Sequence, residues 1–202
     1  MANYCSNKIW FCAEDKGALQ QLFNVFQEVY QNSKRKSYTE IFAMHGYTDE
    51  EARNLTDIRD IISYCGEGIE DGSSYYYFVV ETETAWVPHM ECWKRLLKDR
   101  YQNKIRLVYV SEECGSGIYI TNDTEGDFVV ERYKLDFYSD NACYVEYFGS
   151  LEELVDFINR YLCEDVTVDD SLDDMESKII ECQGDSACCT VAYFECDYRD
   201  MD

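Results

Sequence analysis

Residues 164–176 read EDVTVDDSLDDME, and seven of the thirteen are carboxylates: Glu164, Asp165, Asp169, Asp170, Asp173, Asp174 and Glu176. Carboxylates at this density can ligate a hard cation, offer phosphate-like charge to a basic partner, or sit in water at a helix start. The calcium option has a definite spacing. A twelve-residue EF-hand loop starting at Asp165 would use Asp165, Thr167, Asp169, Ser171 and Asp173 as ligand positions and close on Glu176. Its sixth position needs glycine for a sharp turn, and Asp170 stands there. Thr167 is a weak ligand and no partner hand exists, so no bound metal is expected.

Other reactive residue types give less. Structural zinc needs paired Cys or His at short spacing. No C-x-x-C occurs, and the nearest grouping is Cys182, Cys188, Cys189 and Cys196. Strand alternation would point Cys188 and Cys189 to opposite faces, so buried free thiols are expected. The two histidines are His45, in a loop, and His89, after Pro88 at a helix start. His89 is expected to be an exposed first-turn residue rather than a base for a cysteine nucleophile. Gly66/Gly68 and Gly115/Gly117 lack the rest of a phosphate-binding pattern and read as turns. Tyr75, Tyr76 and Tyr77 could stack on bases, but a half-buried strand accounts for them.

These residues must be carried by regular elements. KIWFCA (8–13) reads as a strand, and Asp15 caps a helix to about Gln31 whose face is Leu19, Leu22, Phe23, Phe26 and Tyr30. SKRKS (33–37) is a basic loop, and Thr48 with Glu51 forms a capping box. Strands are expected near 58–65 and in YYYFVVETETAW, followed by a helix with Pro88 in its first turn and Met90, Trp93, Leu96, Leu97 and Tyr101 inward. Ile105–Val110 and 117–121 make a hairpin across CGSG, and 128–137 and 143–148 read as two more strands. Ser150 and Glu153 cap a helix with Leu151, Leu154, Val155, Ile158 and Leu162 on one face. Ser171 caps another with Leu172, Met175 and Ile179 inward, and CTVAYFEC (189–196) closes the chain as a strand. The order β-α-β-β-α-β, then further strands and helices, predicts an α+β fold with helices over a mostly antiparallel sheet.

Composition sets the class. With 202 residues, 46% apolar and 15% aromatic, the chain can bury a core. The formal net charge is −23. Residues 1–135 carry 22 acids and 15 bases, a net of −7, whereas 136–202 carry 19 acids and 3 bases (Arg160, Lys178, Arg199), a net of −16. Such a field repels nucleic acid and anionic membranes and attracts basic surfaces. No apolar run approaches the ~18 residues of a membrane span, and MANYCSNKIWFCAEDK has no signal-peptide pattern. A cytoplasmic location is expected, with the 11 cysteines mostly reduced.

Three stretches carry a family resemblance: ANYCSN (Ala2 to Asn7), ETAWVP (Glu83 to Pro88) and EECGSG (Glu112 to Gly117). They resemble the YubB ferredoxin-like family of phage, plasmid and other mobile-element proteins, over about residues 2–135. The resemblance implies a split β-α-β ferredoxin-like core at 1–135 with an insertion at about 33–72. Residues 136–202 then form an acidic α+β C-terminal extension packed on that core. It transfers no catalytic residues.

The expectation is a binding protein, not an enzyme, without cofactor. Its partner surface would be Glu164, Asp165, Asp169, Asp170, Asp173, Asp174 and Glu176, a DNA-mimicking face docked on a basic nucleic-acid-binding protein. The phage and plasmid setting makes a host defence nuclease, such as a CRISPR effector, the expected target, with no direct contact to nucleic acid or membrane. The rival readings are a metal-dependent hydrolase using the clustered carboxylates and an acidic accessory protein without an inhibitory role. The sequence leaves the oligomeric state open.

Overall fold

A computed structural model describes residues 3–184 and 186–197. Ala2 and Arg199, both used in the sequence reading, lie outside the described residues. The fold is mixed α+β with a mostly antiparallel sheet and six α-helices among the described residues. It divides into two units, residues 3–123 with Asp197, and residues 124–196. The first unit closes on Asp197, whose N–H donates to the Thr121 carbonyl at 2.7 Å.

The first unit runs β1 (Tyr4–Ala13), α1 (Lys16–Asn32), α2 (Tyr38–Met44), α3 (Asp49–Leu55), β2 (Ile61–Cys65), β3 (Glu70–Asp71), β4 (Tyr76–Ala85), α4 (Met90–Tyr101), β5 (Arg106–Glu113) and β6 (Ile118–Thr121). The strand order is β6-β5-β1-β4-β2, with β3 on β4, and every pairing is antiparallel. Alternation along β1 sends Ile9 and Phe11 to one face, where Phe78 and Val80 of β4 and Leu107 and Tyr109 of β5 join them. The apolar stripes of α1 and α4 cover that face, and Trp93 lies at the centre of the resulting core. On the opposite face of the sheet Ser6, Lys8 and Glu81 are exposed.

The local signals placed most elements. Asp15 accepts from the Gly17 N–H at 2.8 Å at the start of α1, and the Thr48–Glu51 box opens α3. Gly117 takes φ 65°, a left-handed turn that glycine adopts without strain, and leads into the β5–β6 hairpin. Residues 33–72 are less of an insertion than expected, because β2 and β3 within them pair with β4. Pro88 precedes the helix, since His89 is the N-cap of α4.

The second unit runs β7 (Tyr133–Tyr138), β8 (Cys143–Phe148), α5 (Leu151–Tyr161), α6 (Leu172–Gln183) and β9 (Cys188–Tyr193). Its sheet has the order β8-β7-β9. Leu135 and Phe137 of β7 face Val191 and Cys189 of β9 in register, and Leu154, Val155, Ile158, Met175 and Ile179 of the two helices pack on them. Two strand bounds differ from the sequence reading. Residues 128–132 are irregular, and β9 ends at Tyr193, because the Phe194 N–H turns to the Arg132 carbonyl at 2.8 Å. Among the described residues no helix is long and apolar enough to cross a membrane.

Candidate functional site

The acidic segment is a tied loop leading into α6. Val166 is buried, and Asn159 of α5 clamps its backbone: the side-chain amide donates to the Val166 carbonyl at 2.8 Å and accepts from its N–H at 3.1 Å. Asp170 accepts from the Thr167 N–H at 2.7 Å and from the Lys178 ammonium at 2.7 Å, and the same ammonium reaches the Asp165 carbonyl at 3.0 Å. Ser171 caps α6 by accepting from the Asp174 N–H, while the Asp174 carboxylate accepts from the Ser171 hydroxyl at 2.6 Å. Behind the loop Cys163 and Cys182 pair as a disulfide with Cα atoms 5.8 Å apart. This corrects the expectation of a buried free thiol for Cys182, grouped in the sequence with Cys188, Cys189 and Cys196.

These contacts sort the seven carboxylates by role. Glu176 turns inward and accepts from the Val191 N–H of β9 at 2.6 Å, and burial raises its carboxyl above the ordinary range. Asp170 is held below the ordinary range, first by Lys178 and then by the Thr167 N–H. Asp174 serves the helix cap. Glu164, Asp165, Asp169 and Asp173 are exposed. The calcium geometry is not assembled: the Ser171 hydroxyl is taken by the Asp174 carboxylate, and Glu176, the closing ligand, is committed to β9. Among the described residues no group of three or more His, Cys, Asp or Glu is arranged to hold a metal ion.

The electrostatics extend beyond the loop. Among the described residues of the second unit, fifteen acidic residues are exposed, against one exposed base, Arg160. Lys134 is buried with its ammonium 3.7 Å from Asp136, and Lys178 is consumed by Asp170. Glu152 and Glu153 in the first turn of α5, and Asp173 and Asp174 in that of α6, complement the two helix dipoles. Those four account for a minority of the exposed acids. The rest leave a surface of nearly one sign, which attracts basic partners over roughly a Debye length of 8–10 Å.

Sequence reasoning missed a second constellation, in the first unit. The His89 Nδ1–H donates to Asp60 Oδ2 at 2.8 Å, and the Asp60 carboxylate is fully buried. The same oxygen accepts from the Asp57 N–H at 2.7 Å. The imidazole borders a cavity of ≈ 360 Å³ lined also by Asn54, Thr56, Asp57, Pro88 and Glu91. Cys92 adds no nucleophile: its thiol donates to the His89 carbonyl at 2.8 Å, and burial pushes it well above its ordinary value. Nothing in the sequence marks Asp60 and His89 as partners across 29 positions.

This pair makes a pH prediction. The hydrogen bond that His89 donates to the Asp60 carboxylate raises its imidazole above its ordinary 6.5. The stabilisation it gives is therefore complete below 6.5 and is lost as pH rises through the higher folded-state value. Urea midpoints measured at about pH 5.5 and about pH 8.5 should show a loss of stability in the wild type that H89N lacks. Equal losses in both proteins would remove the pair as a contributor.

Against protein-family models, curated proteins and solved structures alike, the chain gives no match.

Proposed function

We propose that this chain is an acidic binding protein of mobile-element, phage type that docks the carboxylate surface of its second unit on a basic nucleic-acid-binding protein and blocks it. The target class is a host nuclease such as a CRISPR effector, met in the cytoplasm, and the action needs neither catalysis nor cofactor. The observation that carries the reading is the fifteen-to-one excess of exposed acids over exposed bases in a folded 73-residue unit. A cleft that holds nucleic acid is lined by Lys and Arg, and its affinity is dominated by phosphate charge. Carboxylates fixed on a rigid surface offer the same sign of charge without the ordering cost of a flexible acidic tail.

The first unit supports the ferredoxin-like part of the reading. The chain path β1-α1-β2-β4-α4-β5 and the strand order β5-β1-β4-β2 follow the split β-α-β pattern. The resemblance to the YubB family rests on ANYCSN at the start of the first strand, ETAWVP at a strand-to-helix junction and the EECGSG turn.

The contact set is narrower than the seven carboxylates of the loop. Glu164, Asp165, Asp169 and Asp173 are exposed and can meet a partner, whereas Asp170, Asp174 and Glu176 hold the loop and helix together. The test is competition: a labelled DNA duplex is bound to a CRISPR effector nuclease and the chain is titrated in. Displacement should occur at low salt and weaken as salt rises. The combined variant E164Q/D165N/D169N/D173N should displace about 10–100-fold less well, while retaining its unfolding midpoint. If wild type and variant displace equally, or neither displaces across a panel of such nucleases, the surface is only a solvated face of an accessory protein.

A further inference from the structure

The face of the first unit's sheet that carries Lys8 and Glu81 holds a groove of ≈ 750 Å³, within the ~300–1,000 Å³ of small-ligand sites. Register explains its floor. Lys8 lies opposite Glu81 and Trp10 opposite Val79 on β1 and β4, and the β2 bulge brings Tyr64 opposite Glu81. The segment Gly66 to Glu70 forms a wall, with Tyr77 beside it. The lining therefore joins three aromatic rings, Trp10, Tyr64 and Tyr77, to three carboxylates, Glu67, Glu70 and Glu81, with Lys8 as its one cation.

We propose that this groove binds an arginine side chain presented by a partner protein. Three observations select that chemistry. First, the carboxylates exceed the cations by two, which repels phosphate and carboxylate ligands and so excludes the base-stacking use of a sheet's aromatic face. Second, the acids retain acceptor capacity. Among the described residues Glu67 and Glu81 make no ion pair, and Glu70 accepts one hydrogen bond, from the Tyr77 hydroxyl at 2.7 Å. Third, Tyr64 is exposed opposite Glu81 and so sets an aromatic ring beside a carboxylate, above Trp10, which is buried and whose ring already holds the Lys8 ammonium 5.3 Å from its centroid. A guanidinium suits such a lining better than an ammonium: it stacks flat on an aromatic ring while its N–H fork bonds a carboxylate in two places. The groove belongs to residues of the first unit alone, so it stands or falls separately from the acidic face of the second.

The experiment is a nuclear magnetic resonance titration of the full chain with a short Ser/Gly peptide carrying arginine. Its lysine and citrulline counterparts serve as probes of charge and shape. The Trp10 indole N–H resonance should move with the arginine peptide, and the citrulline peptide should leave it in place. The lysine peptide should bind about tenfold more weakly. The variant E67Q/E81Q should weaken the arginine peptide by about tenfold, and both positions are surface sites where such changes alter stability little. The variant E164Q/D165N/D169N/D173N should leave this titration unchanged. The proposal is overturned if the Trp10 signal stays still, if arginine and lysine peptides bind alike, or if the second-unit variant removes the binding while E67Q/E81Q does not. Failure here leaves the nuclease competition to be judged by itself, and failure there leaves this groove intact.

Discussion

Trp93→Ala should destabilise the first unit by about 3–5 kcal/mol, the largest effect expected of a single substitution in this chain. Trp93 is fully buried on α4, and four aromatic rings surround it. The Tyr38 ring centroid lies at 4.3 Å, that of Phe26 at 5.3 Å, Phe42 at 5.7 Å and Phe11 at 6.0 Å. These partners come from β1, α1 and α2, so one side chain joins the sheet to three helices. Truncation removes the transfer energy of the indole and leaves a cavity that fused elements cannot collapse into. Trp93→Phe keeps a ring and should cost roughly half as much. Urea unfolding followed by circular dichroism reads both differences. A loss below about 1 kcal/mol for the alanine variant would mean that the site repacks or that the indole is not central.

Removing the Cys163–Cys182 bridge should cost about 3 kcal/mol in oxidising buffer and nothing in reductant. The two cysteines are 19 residues apart and enclose the acidic loop. Closing a loop of that length removes conformational freedom mainly from the unfolded chain, by about 3 kcal/mol. Cys163→Ser and Cys182→Ser should therefore lower the urea midpoint equally, and the double variant should lower it no further. Dithiothreitol should bring the wild type to the level of the variants. If the single variants differ widely, or reductant leaves the gap open, the loss comes from packing around the buried Cys163 and not from the cross-link. The nuclease competition gains a second readout from this series. The bridge backs the loop that carries Glu164, Asp165 and Asp169, so opening it should loosen their spacing and weaken displacement.

Much of the framework was legible because its signals are local. The alternation in KIWFCA, the stripe from Leu19 to Phe26, the caps at Asp15, Thr48, Ser150 and Ser171, and the α4 face ending at Tyr101 each involve residues within a few positions of one another. Glu153 shows how far such reading goes. Ser150 accepts from its N–H as expected, but its carboxylate reaches past the cap residue to the Gly149 N–H at 3.0 Å. Strand ends were less legible where a neighbouring backbone competed, as at Phe194.

The sequence by itself determined that the chain folds as α+β, that its charge is concentrated toward its end, and that α6 begins at Ser171 amid carboxylates. Only the tertiary structure decided which of those carboxylates are free. Glu176 and Asp173 are chemically alike and three positions apart, yet one is spent on Val191 of β9 and the other is exposed. Tertiary structure likewise joined Asp60 to His89, Cys163 to Cys182, and Lys8 to Glu81 across the floor of the groove. The physical reason is the range of the forces involved. Periodicity and capping are satisfied within a turn or two of the chain, whereas a buried carboxylate takes whichever donor the packed core brings to it.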